Sequence, residues 1–308
     1  MNIVFFGTSA FAVPILEALI DSEHRPAAVV TRPDSSQGRG QQLKASAVAS
    51  VAEAHGVRVL KPEDVRSGFF LAEYQSLKPG LAVVAAFGGI LSKEVLEVAS
   101  VENLNVHPSL LPRHRGASPL QRTILEGDSL TGVSLALVTS RVDAGPVLLQ
   151  EEDQVLPTDT AASLGERLAR LGVGSLFRVL RDLDSFLGRA VEQDEAQATY
   201  APKLSKAEGQ VNWAEPAGLI ERRIRAYQPW PRAYSVLDGR RLVLLRSELC
   251  AESGAPGTVL AADPKQGLVV AAGKASLRIL ELQPEGKRPM PAEAWLAAHS
   301  LAVGLTFS

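Results

Sequence analysis

The run Leu81-Ala82-Val83-Val84-Ala85-Ala86 constrains the fold more than any other stretch of this chain. A strand that is apolar at every position is buried on both faces, which calls for helices above and below a mostly parallel sheet. The rest of the first half supplies the parts. Residues 3–6, 27–31, 57–60 and 103–106 read as further buried strands, and 11–20, 48–55, 92–98 and 119–126 as helices between them. Two more strands are predicted at 132–139 and 147–155. Asp159 can then cap a helical pattern that runs through Leu164, Leu168 and Leu171 to about residue 187. This alternation predicts an α/β domain with a doubly wound, mostly parallel sheet, whose ligands sit at the carboxyl ends of the strands.

Beyond it the pattern changes. Residues 188–206 are polar and aperiodic, as expected of a linker. Residues 211–213, 242–245, 257–261, 267–271 and 276–282 are short strands punctuated by Gly, Pro and Asp, as in a small OB-like β-barrel. One helical stretch, 216–227, turns Leu219, Ile220, Ile224 and Tyr227 inward and leaves Arg222, Arg223 and Arg225 nearer solvent. The division expected is therefore 1–187, a linker at 188–206, and a barrel at 207–308. Pro229-Trp230-Pro231 is expected to be a rigid turn with its aromatic ring packed on the barrel.

Several functions are excluded early. Gly7-Thr8-Ser9 follows the first strand, but Ser9 and Ala12 stand where a dinucleotide fingerprint needs glycine, so nicotinamide chemistry is not expected. The single cysteine, Cys250, cannot form an intramolecular disulfide and fits a reducing cytosol. The five histidines are scattered and lack the paired spacing of helical metal sites. No basic leader precedes the first apolar strand, and no uncharged run is long enough to span a bilayer, so a cytoplasmic protein is expected, without a membrane partner. Charge is uneven. Residues 1–202 carry a net −6 and residues 203–247 a net +5, a basic segment suited to phosphate or to a solvated helix face.

The chemistry is concentrated near Asn105-Val106-His107. Side chains two apart on a strand share a face, so Asn105 and His107 can reach one cleft. An amide N–H can face a developing oxyanion, and an imidazole moves protons near neutral pH. Asp143, brought in by the fold, could orient the ring. No Ser or Cys nucleophile stands beside these groups, which favours direct acyl transfer between two bound substrates.

An ordered set of motifs surrounds them: Asn105-x-His107, Ser109-Leu110-Leu111-Pro112-x-x-Arg115-Gly116, Ser118-Pro119, Gly127-Asp128, Thr131-Gly132-Val133 and Asp143-x-Gly145. This set resembles the formyltransferases that use 10-formyltetrahydrofolate. The resemblance implies a Rossmann-like catalytic domain with Asn105, His107 and Asp143 as its catalytic residues. It also implies a pterin lying against Phe87, Gly88, Gly89, Ile90 and Leu91 and near Val138 and Thr139, with Ser109, Leu110, Leu111 and Pro112 closing from the other side. The folate is a formyl donor, and nothing in such chemistry requires a metal.

Three further features resemble the branch of that family that acts on methionyl-tRNA. Arg32-Pro33-Asp34 leads into Gly38-Arg39-Gly40-Gln41-Gln42-Leu43-Lys44, like a loop that engages the acceptor end of tRNA. The stretches Thr199–Leu204 and 224–231 resemble the junction and start of that branch's C-terminal domain, and 282–288 its close. The tRNA-binding residues so implied are Arg39, Lys44, Lys203, Lys206, Arg222 and Arg225. The implied activity is formylation of initiator methionyl-tRNA, with no obligate protein partner. A folate-dependent formyltransferase acting on a small amine, such as a purine precursor or an amino sugar, is the alternative. Which of His107, Asp143 or a water accepts the amine's proton stays open.

Overall fold

The computed structural model describes residues 1–37, 42–299 and 301–308. They form two compact units. The first comprises residues 1–119, 130–154 and 165–202, and the second comprises 120–129, 155–164 and 203–308.

The chain opens with β1 (Ile3–Gly7), α1 (Val13–Ile20), β2 (Ala28–Val30), β3 (Ser35–Gln37), β4 (Gln42–Lys44) and α2 (Ala47–Ala54). Next come β5 (Arg58–Leu60), α3 (Gly68–Ser76), β6 (Leu81–Ala85), α4 (Lys93–Leu96) and β7 (Glu102–His107). Then follow β8 (Arg115–Gly116), α5 (Pro119–Glu126), β9 (Leu130–Leu137), β10 (Val147–Gln154), α6 (Ala161–Arg181), α7 (Leu183–Gly188) and β11 (Tyr200–Ala201). The main sheet has the order β10-β9-β7-β6-β1-β2-β5. Strands β7, β6, β1, β2 and β5 run parallel to one another, while β9 pairs antiparallel with both β7 and β10.

The apolar run at 81–85 becomes β6, buried at every residue in the middle of the sheet. One face carries Val4, Phe6, Val30, Ala82 and Val84, packed with Phe70 and Tyr74 of α3. On the other face α6 approaches so closely that a Cβ on Gly172 would meet Val106. β10 lies at the sheet edge, and its alternating burial shows why its sequence is more polar.

Two helix limits depart from the sequence reading. Thr160, not Asp159, caps α6, its hydroxyl accepting from Ser163 N at 3.1 Å. Asp159 instead accepts from Leu156 N and from the Ser163 hydroxyl. The helix also breaks at Asp182, where φ is −143° and ψ is 51°, so 161–187 is two helices.

The second unit contains α8 (Ala217–Ala226), β12 (Tyr234–Leu237), β13 (Arg240–Cys250), β14 (Val259–Asp263), β15 (Gly267–Ala271), β16 (Ser276–Pro284), β17 (Met290–Pro291) and α9 (Ala292–Ala298). Its antiparallel sheet runs β12-β13-β16-β15-β14, with β17 added to β16. Trp213, Ile220, Ile224, Leu244, Val270 and Leu282 fill its core. The last residues join the two edges. Leu305 accepts from Val259 N beside β14, and Ser308 exchanges backbone bonds with Val236 of β12. That closure gives the curled, barrel-like form expected. Among the described residues no helix is long and apolar enough to cross a membrane.

Candidate active site

β7 sits between β6 and β9, with Asn105 opposite Val84 on one side and Ala136 on the other. Its two-residue repeat brings Asn105 and His107 to one side, as the sequence predicts, and the β9–β10 connection carries Asp143 to them. Asp143 Oδ1 accepts from Asn105 Nδ2 at 3.0 Å, and Oδ2 accepts from Gly116 N at 2.8 Å. His107 Nδ1 faces the same Oδ1 at 3.7 Å, too long for a hydrogen bond. The other ring nitrogen, Nε2, lies 3.0 Å from the His114 carbonyl. A carbonyl only accepts, so Nε2 carries the hydrogen and Nδ1 is the nitrogen left for chemistry.

Glycines explain the motif spacing around Asp143. Asp143 itself has φ 50°, in the left-handed region. At Gly145 a Cβ would collide with the Leu137 carbonyl, so the loop can fold under β9 only with glycine two residues after the aspartate. Gly116 has φ 116°, and a Cβ there would lie 2.7 Å from the Ala201 carbonyl.

The Ser109-Leu110-Leu111-Pro112 loop is fixed from beneath. Ser134 of β9, fully buried, donates to the Ser109 carbonyl at 2.7 Å and accepts from Leu111 N at 2.9 Å. Gln150 of β10 donates to Leu111 O at 2.8 Å and to the Ser134 hydroxyl at 2.9 Å. Ser109 is itself buried, with its hydroxyl on the Arg113 carbonyl, and Leu111 is buried too. These two therefore shape the loop from inside, while Leu110 and Pro112 are partly exposed.

An apolar cluster lies beside β6. Phe87 and Leu91 belong to one cluster with Phe6 and Val84, and Val138 packs against it. Between them Gly88, Gly89 and Ile90 are exposed. Thr8 donates to the Phe87 carbonyl at 2.8 Å, and Arg32 to the Gly88 carbonyl at 2.7 Å, which fixes the backbone of this turn. The Thr139 hydroxyl lies on the Arg141 carbonyl at 3.1 Å.

The stretch expected as a linker is packed on the first unit as far as Pro202. Gln193 donates to the carbonyls of Asp143 at 2.9 Å and Gly145 at 2.7 Å, and accepts from Arg115 Nε at 3.0 Å. Arg115, only 1% exposed, makes a two-point contact with Glu195, and Arg141 joins the same carboxylate. Tyr200 and Ala201 pair in parallel with Arg115 and Gly116. The sequence reading assigned no role to Gln193, Glu195, Arg115, Ser134 or Gln150. Only Arg115 lay within a motif; the others are ordinary polar residues whose partners are distant in sequence.

Charge holds this strap in place. Burial, the largest influence on Arg115, lowers its pKa, but Glu195 and Tyr200 outweigh it and raise the pKa above its ordinary value. Arg115 and then Arg141 hold the Glu195 carboxyl below the usual range. A lowered carboxylate pKa adds stability that is complete above the ordinary value and lost as pH falls through the lowered one. Glu195→Gln is therefore expected to lower the melting temperature at neutral pH. The deficit relative to the unaltered protein should shrink below about pH 4. A deficit independent of pH in parallel melting curves would count against the pairing.

The residues implied for tRNA fare differently. Arg39 lies outside the described residues. Lys44, exposed at the end of β4, lines a cavity of about 460 Å³ with Thr8, Ser9, Arg32 and Ser46. Lys203 and Lys206 are exposed. Arg222 and Arg225 are engaged within the second unit. Arg222 donates to the Leu125 carbonyl at 2.9 Å; Arg225 holds Glu221 through two nitrogens and the Asp159 carbonyl at 2.8 Å. Both stabilise the second unit, because a half-buried guanidinium must satisfy its donors locally.

Residues 1–180 match the formyl transferase family, and residues 203–300 match the formyl transferase C-terminal domain. The methionyl-tRNA formyltransferase of Methylococcus capsulatus is 43% identical over 304 residues, covering 98% of each chain. That of Thermus thermophilus is 41% identical, covering 99% of this chain and 98% of its own. The crystal structure of HypX from Aquifex aeolicus with tetrahydrofolic acid shares the fold, with a TM-score of 0.63 at 17% identity. It is matched over all of this chain, which spans about half (51%) of its length. With both family regions present in order and near full-length identity above 40%, the chain belongs to the formyl transferase family and groups within it with the methionyl-tRNA formyltransferases.

Proposed function

We propose that this protein transfers the formyl group of 10-formyltetrahydrofolate to the free α-amine of initiator methionyl-tRNA, giving the formylated tRNA that starts translation in the cytoplasm. The observation that carries the reading is the gathering of Asn105, His107 and Gly116 N around the single carboxylate of Asp143. When bound, the folate supplies an activated formyl carbon and departs with its N10 as a free amine. The wall of Phe87, Leu91 and Val138 beside the exposed backbone of 88–90 suits a flat, partly apolar ring that hydrogen-bonds along its edge.

As the amine adds to the formyl carbon, negative charge grows on the formyl oxygen. Asn105 has a second amide hydrogen to offer that oxygen, the first being held by Asp143, and protonated His107 can donate to it from Nδ1. Such donors are worth roughly a few kcal/mol each in comparable sites. With Nδ1 protonated, the nearby acceptor for the amine's proton is Asp143 Oδ1. The 3.7 Å between Nδ1 and Oδ1 leaves room for a substrate atom to contact both. Bonds balance: one C–N bond forms at the amine, the bond to N10 breaks, and the proton released by one nitrogen replaces the group lost by the other.

The test is formyl transfer from the folate donor to charged initiator tRNA, charged elongator tRNA, a small amine and water. Rapid transfer to the initiator alone is the expected outcome. Transfer only to a small amine would keep the site and overturn the tRNA acceptor.

A further inference from the structure

The basic excess of residues 203–247 does not reside on α8. Arg223 is paired with Glu215, Arg225 with Glu221, and Arg222 with a backbone carbonyl. Lys203, Lys206, Arg240, Arg241 and Arg246 are all exposed, and among the described residues none has a carboxylate partner. Two of them, Lys206 and Arg241, line a groove of about 470 Å³ in the second unit with Ala207, Trp230, Pro231 and Tyr234.

The walls of this groove are unusual. The Arg241 guanidinium lies over the Tyr234 ring, 3.6 Å from its centroid. Trp230 is 45% exposed, whereas Trp213 and Trp295 are buried at 4% and 7%. Trp230 is thus packed on the barrel only in part. Its turn is held by Arg232, which donates to the Pro229 carbonyl and to Gln283. Scattered apolar side chains are ordinary on a surface. A half-exposed indole beside a guanidinium–phenol stack and an ammonium with no carboxylate partner among the described residues is a different surface. Flat π-faces accept a nucleobase, and adjacent cations accept its phosphate.

We propose that this groove binds an unpaired nucleotide of the tRNA acceptor, with the base stacked on Trp230 and the Arg241–Tyr234 pair and the phosphate on Lys206. The inference rests on the reading of tRNA as acceptor and names a surface for it in the second unit. An acidic peptide would use the cations but leave the two aromatic faces idle.

The test uses the full chain, with uncharged tRNA and a short single-stranded RNA as probes. Base stacking should quench the emission of Trp230, and the quenching should vanish in Trp230→Phe. Trp230→Ala should weaken tRNA binding about tenfold, with Trp230→Phe recovering most of it. Arg241→Gln should reduce the slope of log affinity against log salt by about one. The circular-dichroism melt should be unchanged in every variant, which shows that they fold. Unchanged affinity and salt slope in Trp230→Ala and Arg241→Gln would overturn the proposal, as would quenching by polyglutamate but not by RNA. The two readings fail separately. Protein that binds RNA here yet formylates only a small amine overturns the acceptor. Protein that formylates methionyl-tRNA with a KM unmoved by both substitutions overturns the groove.

Discussion

Asp143→Asn should lower formyl transfer at least ~100-fold while leaving the melting temperature nearly unchanged. The substitution keeps the size of the side chain, and its amide oxygen can still accept from Gly116 N. The amide nitrogen then falls where Oδ1 stood, donor against the donor of Asn105 and beside His107 Nδ1. Asn105 is turned out of place, and the acceptor for the amine's proton is lost. A ~100-fold loss is about 2.7 kcal/mol of transition-state stabilisation, within reach of one misplaced donor plus one missing base. His107→Ala should cause a loss of the same order, because it removes Nδ1 outright. Steady-state turnover with a circular-dichroism melt decides both. Near-normal turnover in either variant removes that residue from the mechanism.

Gly145→Ala should be nearly as damaging, through geometry alone. A single methyl there collides with the Leu137 carbonyl, which belongs to β9 and cannot move without breaking its ladder. The loop must shift instead, carrying Asp143 away from Asn105 and Gly116 and breaking the two bonds from Gln193. A displacement of about 1 Å costs roughly 100-fold in turnover, and the strain adds about 1–3 kcal/mol of instability. Gly174→Ala is the matched control. Its Cβ meets nothing, and it lies within α6, so it should stabilise by about 0.5–1 kcal/mol and leave turnover unchanged. Equal activity in the two variants would show that the loop tolerates movement and that the glycine serves another end.

Much of the first unit was legible because its signals are local. The run at 81–85 could be satisfied only by burial on both faces, and the Asn105/His107 pair needed no more than the two-residue repeat of a strand. Helix limits were less legible. Thr160 and Asp159 are both good caps one residue apart, and only the hydroxyl bond to Ser163 N chooses between them. The strap at 188–202 was illegible for another reason. Its polar, aperiodic sequence is that of a linker, and its order comes from Gln193 and Glu195 meeting Arg115 across some 80 residues of chain.

The second unit divides in the same way. Charge counting located a basic segment but could not tell bound cations from free ones. Glu215 pairs with Arg223, Glu221 with Arg225, and the Leu125 carbonyl holds Arg222, while among the described residues the groove cations near Trp230 have no carboxylate partner.

Sequence alone determined the sheet, the barrel, the family and the shared face of Asn105 and His107, because periodicity and motif order are properties of neighbours along the chain. Tertiary structure alone decided which nitrogen of His107 is available, how Gln193 and Gly145 hold Asp143 in place, and which arginines are already engaged. Those are questions of hydrogen-bond partners and steric clearance between residues far apart in sequence, and only the folded chain brings them together.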